Sequence, residues 1–147
     1  MKLTIELVPK TSFYSNVRSN VTKGEWDIIR KESYRKAGYK CEVCGDVGTN
    51  QGFRHKLECH EIWDYNDDTH KQTLTGMVSL CPRCHSTKHY GLSLIKGRGE
   101  IVLKQLMTIN QIDEDEAEEY VEESFNVWRE RSKFEWELDI SYLNEKD

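Results

Sequence analysis

An α+β fold is predicted by three observations: two Cys-x-x-Cys pairs, an alternating segment between them, and helical periodicity on either side. The pairs are Cys41/Cys44 and Cys81/Cys84, with 36 residues between Cys44 and Cys81. At 147 residues the chain is expected to form a single domain, 1–147. Its small centre, residues 38–91, would need a staple to be stable, and residues 92–147 read as an acidic helical extension ending in a strand.

The elements follow in order. Residues 2–8 alternate Leu3, Ile5 and Leu7 against Lys2, Thr4 and Glu6, which predicts a half-buried strand. Residues 9–21 are polar and irregular. Thr22 and Glu25 have the spacing of a capping box, and Trp26, Ile29 and Ala37 recur at near-helical intervals up to Gly38. A hairpin is expected next, with an outward strand over 53–63, a turn over 64–69 and a return over 74–80. After Cys84 a short helix should run to about Tyr90 and close at Gly91, and another should occupy 100 to about 109. Asp113 suits an N-cap, with acidic residues in the first turn complementing the helix dipole. Ala117, Tyr120, Val121, Ser124, Phe125 and Trp128 then trace one helical face. From Phe134 the period becomes two, with Phe134, Trp136, Leu138, Ile140 and Tyr142 on one side. This terminal strand is expected to pair with residues 2–8.

The net charge of −5 conceals a division. Residues 1–104 carry 17 Lys/Arg against 12 Asp/Glu, whereas residues 105–147 carry 4 against 14. The acidic run reads first as a solvated helix face, but the division also lets the basic two thirds meet a polyanion, so the overall acidity does not exclude nucleic acid. No apolar run approaches the ~20 residues of a membrane span, and the first residues lack the apolar block of a secretion signal. A cytoplasmic location without membrane association is therefore expected. In such a chain, two Cys-x-x-Cys pairs read as metal ligands rather than disulfides. Zinc accepts four thiolates in a tetrahedron, each Cys-x-x-Cys turn offers two, and the folded insert must bring the turns together. Cys41, Cys44, Cys81 and Cys84 are accordingly assigned to one structural Zn2+.

Histidines cluster inside this frame. His85 follows Cys84 directly, and His89 lies one helical turn further on, so both imidazoles can face one ion. His60 lies on the outward strand, within Leu57-Glu58-Cys59-His60-Glu61-Ile62-Trp63. A second divalent metal, such as Mg2+, Mn2+, Ni2+ or Zn2+, is expected on His60, His85 and His89, although one helix histidine could instead join the zinc or cap the helix. The order Cys-x-x-Cys, strand histidine, Cys-x-x-Cys-His and x-x-x-His over residues 38–91 resembles the ββα-metal core of the zinc-stapled HNH endonucleases. That resemblance implies a ββα-metal, HNH-like core, so the expected fold is α+β with this core, the flanking helices and the terminal strands. It also implies hydrolysis of phosphodiester bonds in nucleic acid, and DNA is the partner expected ahead of RNA.

In the HNH family a metal on helix and first-strand ligands polarises the scissile phosphate, a strand histidine activates water, and a hairpin asparagine orients that histidine. This chain offers two registers. In one, Cys59 replaces the family's strand ligand and His60 is the base; in the other, His60 is the ligand and Glu61 stands at the base position. Alternation puts Cys59 with Leu57 and Phe53, and three imidazoles make the more usual open site, which favours the second. Thr75 and Gly76 occupy the stretch of the family's asparagine, and Asn66 falls in the turn. A non-catalytic zinc module for nucleic-acid or protein binding is the competing reading. His55 and His70 fit ordinary surface positions. Arg83 and Lys88 suit either solvent or phosphates, and Trp63 and Tyr65 suit hairpin packing better than base stacking.

Overall fold

After an irregular N-terminal segment the chain forms α1 (Val17–Asn20), α2 (Lys23–Lys36), β1 (Glu58–Asn66), β2 (Lys71–Leu80), α3 (Pro82–Lys88) and α4 (Tyr90–Ile95). There follow α5 (Gly99–Asn110), α6 (Glu114–Arg131), β3 (Glu137–Asp139) and α7 (Tyr142–Glu145). This computed structural model describes residues 1–13 and 15–145. The class is α+β, around a three-stranded sheet of order β1-β2-β3. No described helix is long and apolar enough to cross a membrane.

The hairpin is longer at its turn and shorter at its base than the sequence predicts. Its register runs from Glu58 opposite Leu80 to Asn66 opposite Lys71, and Thr75 is an extra residue on β2 where the register shifts. Asn66 builds the turn, its Oδ1 accepting from the Asp68 and Thr69 amides at 3.0 and 3.1 Å. The expected outward strand over 53–57 is instead a loop, because a 3-10 turn at Gly48–Gln51 takes its backbone groups. The Gly48 amide donates to the Lys56 carbonyl at 2.7 Å, and Gly48 has no room for a side chain against the His55 carbonyl.

Local signals place the long helices well. Thr22 Oγ1 accepts from the Glu25 amide at 3.1 Å, and Glu25 Oε1 accepts from the Thr22 amide at 3.0 Å, completing the capping box that starts α2. Asp113 caps α6 by accepting from the Glu116 amide at 2.9 Å. Gly91 does not close the helix after Cys84. The break falls at His89 (φ −95°, ψ 56°), and Gly91 lies inside α4 against Phe125.

The expected pairing of the two chain ends does not occur. Residues 2–8 form no regular element and join no ladder. Their polar groups are taken by side chains and by a helix end. Asn110 Oδ1 accepts from the Leu3 amide and its Nδ2 donates to the Leu3 carbonyl, both at 2.8 Å. The Tyr120 hydroxyl receives the Ile5 amide at 2.9 Å, and the Glu6 amide donates to the Lys88 carbonyl at 3.0 Å. The Trp128 indole closes the series on the Val8 carbonyl at 2.9 Å. A segment satisfied in this way has no need of a sheet partner.

The C-terminal strand is confined to Glu137–Asp139, pairs in parallel with Lys71–Thr73, and is followed by α7 rather than ending the chain. It is anchored at the hairpin turn. Phe134 stacks on His70 with ring centroids 4.1 Å apart, Trp136 meets Tyr65 edge-on at 5.4 Å, and Arg131 forms a two-pronged pair with Asp67 at 2.9 and 3.1 Å.

The buried core joins Leu3 and Ile5 to Leu80, Cys81, Cys84, Tyr90, Val102, Leu106 and Ala117. It therefore lies between the N-terminal segment, the end of β2, and helices α3, α5 and α6. Asn110→Ala removes both partners of Leu3 and leaves two buried backbone groups without their partners. It is expected to lower unfolding free energy by about 1–3 kcal/mol in urea titrations and to speed hydrogen exchange at the Leu3 amide.

Candidate metal centres

The first centre is built from two turns. Cys41 and Cys44 lie on a turn where Gly45 (φ 78°) donates to the Cys41 carbonyl at 2.9 Å. The Glu42 amide ties this turn to the Ser79 carbonyl at 2.9 Å. Cys81 is the N-cap of α3, with Pro82 at the first helical position, where a missing amide hydrogen is harmless. One sulfur from each of the four cysteines lies within 4.8 Å of the others. Cys44 Sγ and Cys81 Sγ are 3.5 Å apart, close to the separation of about 3.8 Å set by a tetrahedral zinc with 2.3 Å bonds.

Donors aim at these sulfurs. The Cys44 and Cys84 amides point at Cys41 and Cys81 Sγ at 3.5 and 3.4 Å, the Asp46 amide at Cys44 Sγ at 3.4 Å, and Gln105 Nε2 at Cys84 Sγ at 3.3 Å. Hydrogen bonds from the Cys81 and Cys84 thiols hold the Cys41 thiol far below its ordinary range. Burial pushes the Cys44 thiol up to about 12, and hydrogen bonding to Cys41 and Cys81 raises the Cys84 thiol. The cluster thus shares its protons among sulfurs too close to carry four bare charges. That donor set fits one zinc ion, which neutralises the thiolates.

The second group is His60 from β1, His85 from α3 and His89 at its C-cap, with one ring nitrogen of each within 4.8 Å of the others. His85 Nε2 and His89 Nε2 are 3.1 Å apart, against about 3.3 Å for two imidazoles on one tetrahedral ion. Burial lowers the pKa of His60, and burial followed by the neighbouring His85 and His60 takes that of His89 down to about 3. Three imidazole nitrogens gathered this closely suit a cation between them.

Carboxylates hold two of the rings from behind. Glu58 Oε1 engages His85 Nδ1 at 2.8 Å and its Oε2 engages His55 Nε2 at 2.7 Å. The bond from His85 outweighs burial and keeps Glu58 at about 2. Glu6 Oε1 engages His60 Nε2 at 2.9 Å, and Glu6 Oε2 accepts from Lys88 Nζ. Burial opposes ionisation of Glu6, but the bonds from His60 and Lys88 prevail and hold it at about 2. Lys88 also donates to Thr4 Oγ1 at 2.8 Å and is buried, so it faces neither solvent nor phosphate.

Cys59 is half-buried and stands outside the histidine group. Glu61 lines the cavity above His85 and His89, with Oε2 accepting from the Val17 amide at 2.5 Å. Burial raises its pKa, partly offset by the Val17 bond. Asn66 is occupied in the turn, as described above. Glu58 was detectable in the sequence as the residue two before His60 on the same strand face. Glu6 was not, since only the folded N-terminal segment brings it to His60. The chain matches no protein-family model, no curated protein and no solved structure.

Two outcomes are expected. Cys81→Ser should lose the tightly held zinc measured by elemental analysis and depress the thermal midpoint followed by circular dichroism. Glu58→Gln should spare that zinc but weaken a second divalent ion, titrated calorimetrically with Mn2+, by about 10–100-fold.

Proposed function

We propose that the chain is a metal-dependent phosphodiesterase of the HNH type acting on nucleic acid, DNA in preference to RNA. The observation that carries this reading is the meeting of His60, His85 and His89 beside a hairpin and helix joined by the cysteine turns. In this reading residues 38–91 are the HNH-like core of one domain, and the reduced thiols needed for zinc suit the cytoplasm. Cys41, Cys44, Cys81 and Cys84 hold the structural zinc, and His60, His85 and His89 hold a second divalent cation. A cation bound there supplies Lewis-acid polarisation of a phosphoryl oxygen.

The chain's own groups do the rest. Glu58 orients His85 through Nδ1, which leaves Nε2 directed at the site. Glu61, poorly solvated and therefore more basic than an exposed carboxylate, takes a proton from the attacking water. The water oxygen bonds to phosphorus as the bond to the leaving oxygen breaks. The Glu6–His60 bond favours a second assignment of the same chemistry, in which His60 is the base and Glu6 orients it in place of the missing asparagine.

The competing reading is a zinc module that binds without cleaving, and the displacement of Asn66 to the turn speaks for it. Purified protein incubated with plasmid, single-stranded DNA and RNA under Mg2+, Mn2+, Ni2+ or Zn2+ separates the two. Cleavage that falls at least a hundredfold in His85→Ala supports the enzyme, and binding with no cleavage under any metal rejects it. Glu61→Gln should lower cleavage while keeping the second ion. His60→Ala should lose that ion if His60 is a ligand, and keep it if His60 is the base.

A further inference from the structure

Above the histidine group lies a cavity of about 440 Å³. That is within the roughly 300–1,000 Å³ of pockets that enclose small ligands. Its composition is unusual for this chain. Three of the four tryptophans, Trp26, Trp63 and Trp128, line it, together with Tyr65. So do two guanidinium groups, Arg18 and Arg131.

These side chains have different duties. Trp128 is spoken for by the Val8 carbonyl, while Tyr65 packs edge-on against Trp136 beneath Arg131, whose guanidinium carbon lies 4.8 Å from the Tyr65 ring centroid. Trp63 and Trp26 are half-buried, and neither indole nitrogen has a hydrogen-bond partner among the described residues. Arg18 likewise makes no ion pair among the described residues, whereas Arg131 is paired with Asp67. Two indole side chains and one guanidinium without an ion pair among the described residues thus line the space next to the imidazoles.

We infer that this cavity receives a single unstacked nucleotide, its base against Trp63 and Trp26 and a phosphate toward Arg18, so that the substrate is single-stranded rather than continuous duplex nucleic acid. The inference rests on the phosphodiesterase reading for the identity of the strand. A flat aromatic base offers faces for indoles to cover only when it leaves the stack, and a paired duplex shows mainly edges and backbone.

Tryptophan fluorescence reads the cavity directly, because most of the chain's indoles line it. The full-length, zinc-loaded protein is titrated, without added Mg2+ or Mn2+, with a short single-stranded DNA, the same sequence as blunt duplex, and a nucleoside 5′-monophosphate. The single strand is expected to quench fluorescence and to bind at least tenfold more tightly than the duplex. Trp63→Ala should weaken the single strand by roughly tenfold or more and leave the duplex unchanged. Trp63→Phe, which keeps a stacking face, should retain most of the affinity and guards against a folding defect in the alanine variant. Arg18→Ala should lower the salt dependence of single-strand binding by about one phosphate contact. Equal or tighter binding of duplex, or equal losses for both in Trp63→Ala, overturns the inference. Cleavage of duplex in preference to single strand would refute it while leaving phosphodiester hydrolysis standing. Quenching by the single strand with no cleavage under any metal would do the reverse.

Discussion

Four sulfurs held within 4.8 Å of one another impose the constraint on which the rest of this molecule depends. Thiolates that close repel strongly unless a cation lies among them, so the two cysteine turns are brought together by an ion or held as a proton-sharing cluster. Cys81 is both a member of the cluster and the N-cap of α3. The direction in which α3 leaves the hairpin is therefore set at the cluster itself. His85 is adjacent to Cys84 in sequence, and His60 lies opposite Val78, three residues before Cys81. Little freedom remains between sulfur group and imidazole group, so ordering the first goes far toward assembling the second.

A second contribution comes from a segment with no regular structure. Residues 3–8 lie across α3, α5 and α6, with each backbone group noted above met by a side chain or a helix carbonyl rather than by a strand. This mode of attachment delivers Glu6 to His60 and Lys88. A ladder would have satisfied the backbone equally well, but pairing with the C-terminal strand would have drawn Glu6 toward the hairpin turn, where Glu137–Asp139 are found. The acidic side chain nearest to His60 is thus a consequence of which groups claimed the N-terminal backbone.

The sequence was most informative where the physics is local. The capping box at Thr22 and Glu25, the Asp113 cap and the asparagine turn depend on residues a few positions apart, and the cysteine and histidine spacings depend on the geometry of one turn. The same alternation that suggested a strand over residues 2–8 correctly marks Leu3 and Ile5 as buried, but a period of two records which side chains go inward and not what the backbone bonds to. Alternation from Phe134 misled in the opposite sense. There the aromatics are committed to His70 and Tyr65, and only three residues remain to pair. Glu6 and Gln105 reach the two centres from distant parts of the chain, and no spacing rule reports such contacts.

The two donor sets differ in a way that separates their tasks. Four thiolates are soft ligands, they fill a tetrahedral shell, and three of the four cysteines are buried, so that centre is closed to exchange and suited to zinc as a staple. Three imidazoles would not by themselves complete a tetrahedral shell, and imidazole is tolerant of several divalent ions. All three imidazoles line the cavity. Carboxylates behind His85 and His60 hold the rings without occupying the cavity face, while Glu61 lies at its wall with a pKa raised by burial. A largely buried sulfur cluster and an imidazole cluster that lines a cavity, joined through one short helix, are thus chemically distinct donor sets. Trp26, Trp63 and Arg18 line the same cavity as the imidazoles, so a ligand entering it meets them together with that donor set.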